Sequence, residues 1–155
     1  LISPFFLNDK EIRKIIELVF FSYRDFTAGP DQILVKLNFG RAHHRVIYFV
    51  GKKDKITIKE LLSVLKITKQ SLSRVLNQLV KEGFIVVSTG LDKRTKNLAL
   101  TSSGLSLENE LSNIQIHKIK KVINNFNKED IDGFKKVLYE MIEIDNKKTF
   151  QHLNE

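Results

Sequence analysis

The chain has 155 residues, of which 42% are hydrophobic and 28% charged, a composition typical of one folded globular domain. It has no cysteine, which excludes disulfides, thiolate metal sites and thiol redox sensing within this sequence, and no apolar run approaches the roughly 20 residues of a membrane span. The net charge is +8. The start lacks the pattern of a signal peptide, so we expect a cytoplasmic protein that does not bind a membrane.

Apolar spacing predicts two helices in the N-terminal part. The first covers residues 10–26, and Gly29 and Pro30 predict a break after it. Residues 34–37 are interpreted as a short helical or irregular piece. A second helix is predicted over residues 40–50, and its candidates for burial are Val46, Ile47, Phe49 and Val50.

Capping signals predict the third and fourth helices. Thr57 and Glu60 form a capping box at the start of a short helix. Thr68 caps a fourth helix, which Gly83 ends. Its apolar residues follow the i, i+3, i+4, i+7, i+8 spacing of a buried stripe: Leu72, Val75, Leu76, Leu79 and Val80.

A hairpin and two more helices follow. Residues 84–88 and 97–100 are rich in strand formers and are separated by turn residues. Thr101 caps a long fifth helix and Asn127 caps a sixth. We expect the tail from Lys147 onward to be frayed.

The positive charge is concentrated in the middle of the chain. Residues 1–40 and 97–155 have net charges of zero and −1, whereas the net charge is +4 over residues 41–60 and +5 over residues 61–96. A polyanion that meets such a segment releases condensed counterions, which favours nucleic acid as a partner. The alternative is an ordinary solvated basic surface.

The polar face of the fourth helix has side chains that suit DNA. Arg can read guanine, Gln and Asn can read adenine, and Lys and Ser can hold phosphates. The alternative is an ordinary surface helix, and Lys81 ranks below the residues near the N-terminus. The candidate DNA contacts are Thr68, Lys69, Gln70, Ser71, Ser73, Arg74 and Asn77.

The hairpin tip carries Asp92, Lys93 and Arg94. Arginine at this place can enter the narrow, electronegative minor groove. We expect Asp92 to hold the Arg94 guanidinium through a charge-assisted hydrogen bond. The alternative is a solvated turn.

The element order predicts a mostly α-helical fold with a small β-hairpin wing, a winged helix-turn-helix with N- and C-terminal dimerisation helices. We expect a single domain over residues 1–155. It would consist of a DNA-binding lobe at residues 41–100 and a helical dimerisation lobe from residues 1–30 and 101–150. Two copies are needed to contact two half-sites about 34 Å apart.

Three motifs carry a family resemblance. They are TKQSLSRVLNQLVKEGFI, the wing motif Asp92-x-Arg94, and the pattern Leu98-x-Leu100-Thr101-x-x-Gly104. Together they resemble the MarR family of bacterial winged-helix regulators. The segments GRAHHRVIYFVG and ITKQSLSRVL are similar to the PetP-like branch of that family.

The resemblance implies a homodimer that binds a palindromic operator in double-stranded DNA. It implies the fourth helix in the major groove, Arg94 in the minor groove, and Lys93 and Lys96 on phosphates. It also implies repression more often than activation, relieved by a small-molecule effector between the two lobes. The cysteine-based sensing of some family members is excluded here.

His43 and His44 are adjacent on the second helix, so their side chains point about 100° apart and suit one metal ion poorly. We therefore predict no metal site and no cofactor. One histidine is expected to pack or bond at the domain junction. The other, with Arg41 and Arg45, is expected to face the dimer partner, phosphate or an anionic effector.

Aromatic residues cluster in the first third of the chain. Core and dimer packing is one explanation, and an effector pocket bounded by the first two helices and the fifth is another. The candidate ligand contacts are Phe39, His43, His44 and Tyr48. The whole aromatic cluster is Phe5, Phe6, Phe20, Phe21, Phe26, Phe39, Tyr48 and Phe49.

The sequence thus favours a dimeric transcription regulator. The alternative is a winged-helix protein-interaction module whose basic surface binds an acidic protein rather than a specific DNA site. An enzyme is not expected, because the sequence has no phosphate loop, nucleophile motif or metal-ligand spacing.

Overall fold

The computed structural model describes residues 7–155. Within that range the chain forms seven helices and a small antiparallel sheet, which confirms the expected mostly α-helical fold with a wing. Phe5, Phe6 and the rest of residues 1–6 lie outside the described residues. The elements are α1 (Asp9–Lys36), α2 (Arg41–Lys52), β1 (Ile56–Thr57), α3 (Ile58–Leu65), α4 (Lys69–Lys81), β2 (Ile85–Thr89), β3 (Lys96–Leu100), α5 (Ser102–Ile123), α6 (Lys128–Glu140) and α7 (Ile144–His152).

One apolar core holds α2, α3, α4, the sheet and the first turns of α5 together. Burial of these aliphatic side chains removes apolar surface from water and stabilises the lobe. The predicted stripe of α4 is buried except for Val80, which is 40% exposed at the edge of the helix. The buried core residues are Leu34, Phe39, Val46, Ile47, Val50, Ile56, Leu61, Leu72, Val75, Leu76, Leu79, Ile85, Leu98, Leu107 and Leu111.

The sheet contains a strand that the sequence analysis missed. β1 pairs with β3, and β3 pairs with β2, so the strand order is β1-β3-β2. Ile56 lies opposite Leu98, and both are buried. A two-residue strand is too short to show an alternating pattern, and only its pairing with β3 reveals it.

The predicted break at Gly29 and Pro30 is wrong, because α1 continues through both residues to Lys36. Pro30 is buried, and its place in the helix costs a backbone hydrogen bond. Gly29 allows α5 to approach closely, since a Cβ there would lie 2.7 Å from Ile114 Cγ2. Packing against α5 therefore outweighs the local breakers, and residues 34–37 form the end of this helix and its C-cap.

The prediction of a frayed tail from Lys147 onward is also wrong, because residues 144–152 form α7. An ion pair joins Lys147 to Glu140 at 2.7 Å, and Gln151 donates a hydrogen bond to the Tyr139 hydroxyl. These contacts tie α7 to the end of α6, and α7 also packs against α3. The polar composition of α7 gives little apolar periodicity from which a helix could be predicted.

Candidate nucleic-acid interface

The turn between α3 and α4 sets the position of α4. Lys66 ends α3 in the left-handed conformation with φ 53°, and the Thr68 hydroxyl accepts a hydrogen bond from the Ser71 amide at 3.1 Å. The Thr68 and Ser71 side chains also bond each other at 2.9 Å. Both predicted DNA contacts therefore have a capping role, and Ser71 is half-buried.

The other predicted residues of α4 point outward. Because the buried stripe faces the core, the opposite side of the helix is polar and basic along its whole length. It ends in Lys81, which is also exposed. The exposed predicted contacts are Lys69, Gln70, Ser73, Arg74 and Asn77.

Hydrogen bonds within the backbone shape the tip of the wing. The Gly90 amide donates to Thr95 O at 2.9 Å, and the Thr95 amide donates to Asp92 O at 2.8 Å. Asp92 Oδ1 accepts a hydrogen bond from the Arg94 backbone amide at 3.0 Å. The prediction that Asp92 bonds the Arg94 guanidinium is therefore wrong. Aspartate commonly accepts from the amide two residues later, so it orders the turn, and the Arg94 side chain is exposed.

The remaining basic residues of the wing lie beside this tip. Lys93 is exposed, and Lys96 lies at the start of β3, where its Nζ donates to Thr89 Oγ1 at 3.3 Å. The three cations of the wing are therefore at the same end of the hairpin. This end has no buried apolar contact to hold it against the lobe, since Leu91 at the tip is fully exposed.

The polar side of α4 and the wing border one groove. A cavity of about 340 Å³ is lined by the polar residues Lys69, Ser73, Asn77 and Lys81 of α4. Its other lining residues are apolar: Ile58, Leu72, Leu76 and Val80, with Val87 and Leu98 from the two wing strands. The predicted contacts Gln70 and Arg74 and the residues of the wing tip do not line it. The fold thus brings α4 and the strands of the wing to one concave surface.

The four predicted ligand residues separate into two places. His44 and Tyr48 line a cavity of about 360 Å³ between α1, α2 and α5, which matches the predicted boundaries of an effector pocket. Burial lowers the pKa of His44. Phe39 and His43 do not line it. They stack on each other with ring centroids 4.7 Å apart, at the junction of α2 and α4.

The sequence analysis missed several residues of these two places. Tyr23 and Ile116 line the cavity with His44, and the sequence analysis named neither as a ligand contact. Arg41 and Arg45 were not missed, because the sequence analysis expected them, with one histidine, to face the dimer partner, phosphate or an anionic effector. Both line the cavity with His44, and Arg45 Nη2 donates to the Tyr23 hydroxyl at 2.9 Å. Gln78 of α4 bonds His43, and no local signal marked it.

Residues 7–155 contain no group of three His, Cys, Asp or Glu side chains that could hold a metal ion. In the same range, none of the helices combines the length and apolar character needed to cross a membrane.

Comparison with known proteins decides the family. The model of the MarR family matches residues 37–95. The HTH-type transcriptional regulator PetP of Rhodobacter capsulatus is 41% identical over 151 residues, which are 97% of this chain and 91% of that protein. The chain belongs to the MarR family. This membership confirms the resemblance, and it confirms the expected DNA-binding transcriptional regulator at the level of the family.

Solved structures of MarR-type proteins share the fold of this MarR-family chain. Streptococcus pneumoniae FabT, solved in complex with DNA, has a TM-score of 0.70 at 20% identity over 84% of this chain and 94% of that one. A MarR-family regulator of Silicibacter pomeroyi has a TM-score of 0.69 at 19% identity over 82% and 88%. The Rhodobacter capsulatus and Silicibacter pomeroyi proteins are transcriptional regulators.

Proposed function

We propose that this MarR-family protein is a homodimeric, sequence-specific transcriptional regulator that binds a palindromic operator, most simply as a repressor. The observation that carries the proposal is the placement of α4, with its exposed polar and basic face, beside the strands of the wing. A protein-interaction module needs no such pairing of a groove-sized helix with a cationic tip. Regulation of transcription would place the protein in the cytoplasm and gives it no need for enzymatic activity.

In this proposal the N-terminal half of α4 enters the major groove. Lys69, Gln70, Ser73, Arg74 and Asn77 are exposed on the side of the helix that faces away from the core. Thr68 and Ser71 would hold the helix N-terminus together and present backbone amides to a phosphate.

The wing would contact the neighbouring minor groove. Arg94 extends from the ordered turn and would enter that groove, whose narrow form concentrates negative potential. Lys93 and Lys96 would contact flanking phosphates. Asp92 would act on DNA binding indirectly, by shaping the turn.

Apolar side chains outside the core support the dimer. Ile16 and Phe20 of α1 are more than 60% exposed in one chain, as is Phe134 of α6. Exposed apolar surface of this extent is typical of a protein–protein interface. We therefore assign residues 1–30 and 101–150 to dimerisation and residues 41–100 to DNA binding, with the first turns of α5 packed in the DNA-binding lobe through Leu107 and Leu111.

The cavity between α1, α2 and α5 is the place where an effector would bind. It lies where the dimerisation helices meet the DNA-binding lobe, and His44, Tyr48 and Arg45 are among the polar residues that line it. A ligand there would alter the angle between the two lobes. Phe39 and His43, predicted for the same site, would not contact that ligand.

Selection of binding sites from a random duplex library tests the proposed function. The purified protein should enrich an inverted repeat, and its affinity for that duplex should fall about 10³-fold or more between 50 and 200 mM salt if each dimer makes six or more phosphate contacts. A protein that enriches no sequence and binds an acidic polypeptide instead would support the interaction module.

A further inference from the structure

A chain of hydrogen bonds links the elbow between α1 and α2 to α4. The Gly40 amide donates to His43 Nδ1 at 3.1 Å, and His43 Nε2 lies 2.8 Å from Gln78 Oε1. The Gln78 amide group in turn donates to Asn38 O at 3.4 Å and to Glu82 Oε1 at 3.1 Å. The His43 and Gln78 side chains lie in the middle of this network, and each forms hydrogen bonds to both of its neighbours.

Only one arrangement of protons satisfies these contacts. A backbone amide can only donate, so His43 Nδ1 must be the unprotonated acceptor and Nε2 must carry the hydrogen. Gln78 must then turn its oxygen to His43, which leaves its NH₂ group facing the two remaining acceptors. The network consequently has a single direction and fits a single placement of α4 against the elbow.

Aromatic packing makes this junction rigid. Phe39, which is 5% exposed, stacks on the His43 ring at an interplanar angle of 9°. Phe39 also meets Phe84 edge-on, with centroids 5.4 Å apart. Phe84 follows Gly83, where α4 stops in a backbone conformation of positive φ, so the elbow contacts α4 both in its third turn and just after its end.

Gln78 lies on α4 beside Asn77, but its side chain points about 100° away around the helix axis. In the proposed binding mode Gln78 touches no DNA. A shift of α4 at Gln78 would nevertheless move every DNA-facing side chain of that helix. We propose that His43 and Gln78 are positioning residues that set the direction of α4 relative to α1. Because α1 belongs to the proposed dimer interface, this pair sets the separation of the two α4 helices. The inference rests on the proposed function.

Two substitutions separate this role from simple support of the fold. Gln78→Met keeps the length of the side chain and removes the hydrogen bonds. His43→Gln keeps an acceptor three residues after Gly40, as in a capping box, and loses the bond to Gln78. Affinity is measured for the selected operator, for operators whose half-sites are one base pair closer or farther apart, and for an unrelated duplex.

Each single variant should bind the operator roughly tenfold more weakly. The loss in the double variant should be smaller than the product of the two single losses, because the two residues share one interaction. Discrimination between half-site spacings should diminish in all three. Affinity for the unrelated duplex should not change, because the basic residues are intact.

Three results would overturn the inference if the wild type binds its operator. The first is single variants that bind and discriminate as the wild type does, and the second is losses that multiply in the double variant. The third is an equal loss of affinity for the operator and for the unrelated duplex, together with a lower melting temperature. The last would show general destabilisation. A wild type that enriches no sequence would instead contradict the proposed function.

Discussion

Arg94 lies exposed at the end of the wing, on a turn whose backbone is ordered before any DNA is bound. Asp92 accepts from the Arg94 amide, and the Thr95 amide closes the turn onto Asp92 O. Because the backbone of the turn is already ordered, binding to DNA loses little backbone conformational entropy there. Most of the remaining loss comes from fixing the long arginine side chain.

Arg94→Ala should weaken operator binding by about 1–3 kcal/mol without lowering the melting temperature, because it removes a minor-groove contact and no buried group. Fluorescence anisotropy with a labelled operator measures the loss. Lys128→Ala, an exposed basic residue at the start of α6, is the matched control and should bind nearly as the wild type does. Equal affinities of the Arg94 variant and the wild type would contradict the role of the wing.

Glu60 connects charge to stability at the start of α3. Lys53 Nζ lies 2.6 Å from Glu60 Oε1, and the Thr57 amide donates to Glu60 Oε2 at 2.8 Å. These bonds favour the carboxylate and lower the pKa of Glu60. A carboxyl group whose pKa is lowered by folding stabilises the protein above its ordinary pKa, and this contribution is lost as the pH falls through the lowered value.

Glu60→Gln should therefore be less stable than the wild type at pH 7, and the difference should shrink as the pH falls below the ordinary value of 4.5. The amide oxygen can keep the bond to Thr57, so the variant tests the charge rather than the cap. Thermal melts across the acid range provide the measurement. A constant gap at all pH values would mean that titration of Glu60 does not contribute.

At the scale of elements, Gly104 allows the start of α5 to lie close to the end of the α4–β2 turn. A Cβ on Gly104 would lie 2.0 Å from Phe84 O, a backbone atom that cannot turn aside. The Thr101 amide donates to that same carbonyl at 3.1 Å, and the Thr101 hydroxyl donates to Gly83 O at 2.6 Å. The glycine of the family motif thus lets the start of α5 lie directly on the base of the wing.

Gly104→Ala should destabilise the fold by about 1–3 kcal/mol, because α5 must move away from the backbone at Phe84. Gly133→Ala is the matched control, since its added Cβ meets nothing within 4 Å in the middle of α6. That control should gain about 0.5–1 kcal/mol from lower backbone entropy. Urea denaturation compares the two, and equal midpoints would show that the backbone at Phe84 yields easily.

At the scale of the whole molecule, much apolar surface is unburied in a single chain. α6 has no buried residue, and its apolar side chains Phe134 and Val137 are each about 60% exposed. Helices of this kind are stable when a partner covers their apolar face. The proposed partner is a second copy, because two half-sites require two α4 helices.

Phe134→Glu should shift the protein from dimer toward monomer, because the interface would have to desolvate a charge. Sedimentation velocity at micromolar concentration measures the shift, and operator affinity should fall with it. Val86→Glu places the same charge on an exposed position of β2 and should remain dimeric. A wild type that sediments as a monomer would contradict the proposed assembly.

Local signals predicted α4, its cap at Thr68 and its stop at Gly83, and they also predicted both strands of the wing. The same signals failed at Pro30, where contacts with α5 outweigh a local cost of about 3 kcal/mol, and in α7. For the candidate site, the exposed face of α4 followed from periodicity alone. The partner of Asp92 did not, because a side chain can accept from either a guanidinium or an amide at that distance in sequence.

The amino-acid sequence by itself determined which helix would be polar outside and apolar inside, where the positive charge lies, and which family motifs the chain carries. These properties depend on residues that are near one another along the chain. Only the tertiary structure decided that β1 joins the sheet, that His43 bonds Gln78 while His44 faces a cavity, and that α4 and the wing share one groove. Such pairings depend on contacts between distant segments, whose combined energy exceeds the local preferences and has no repeating signature along the chain.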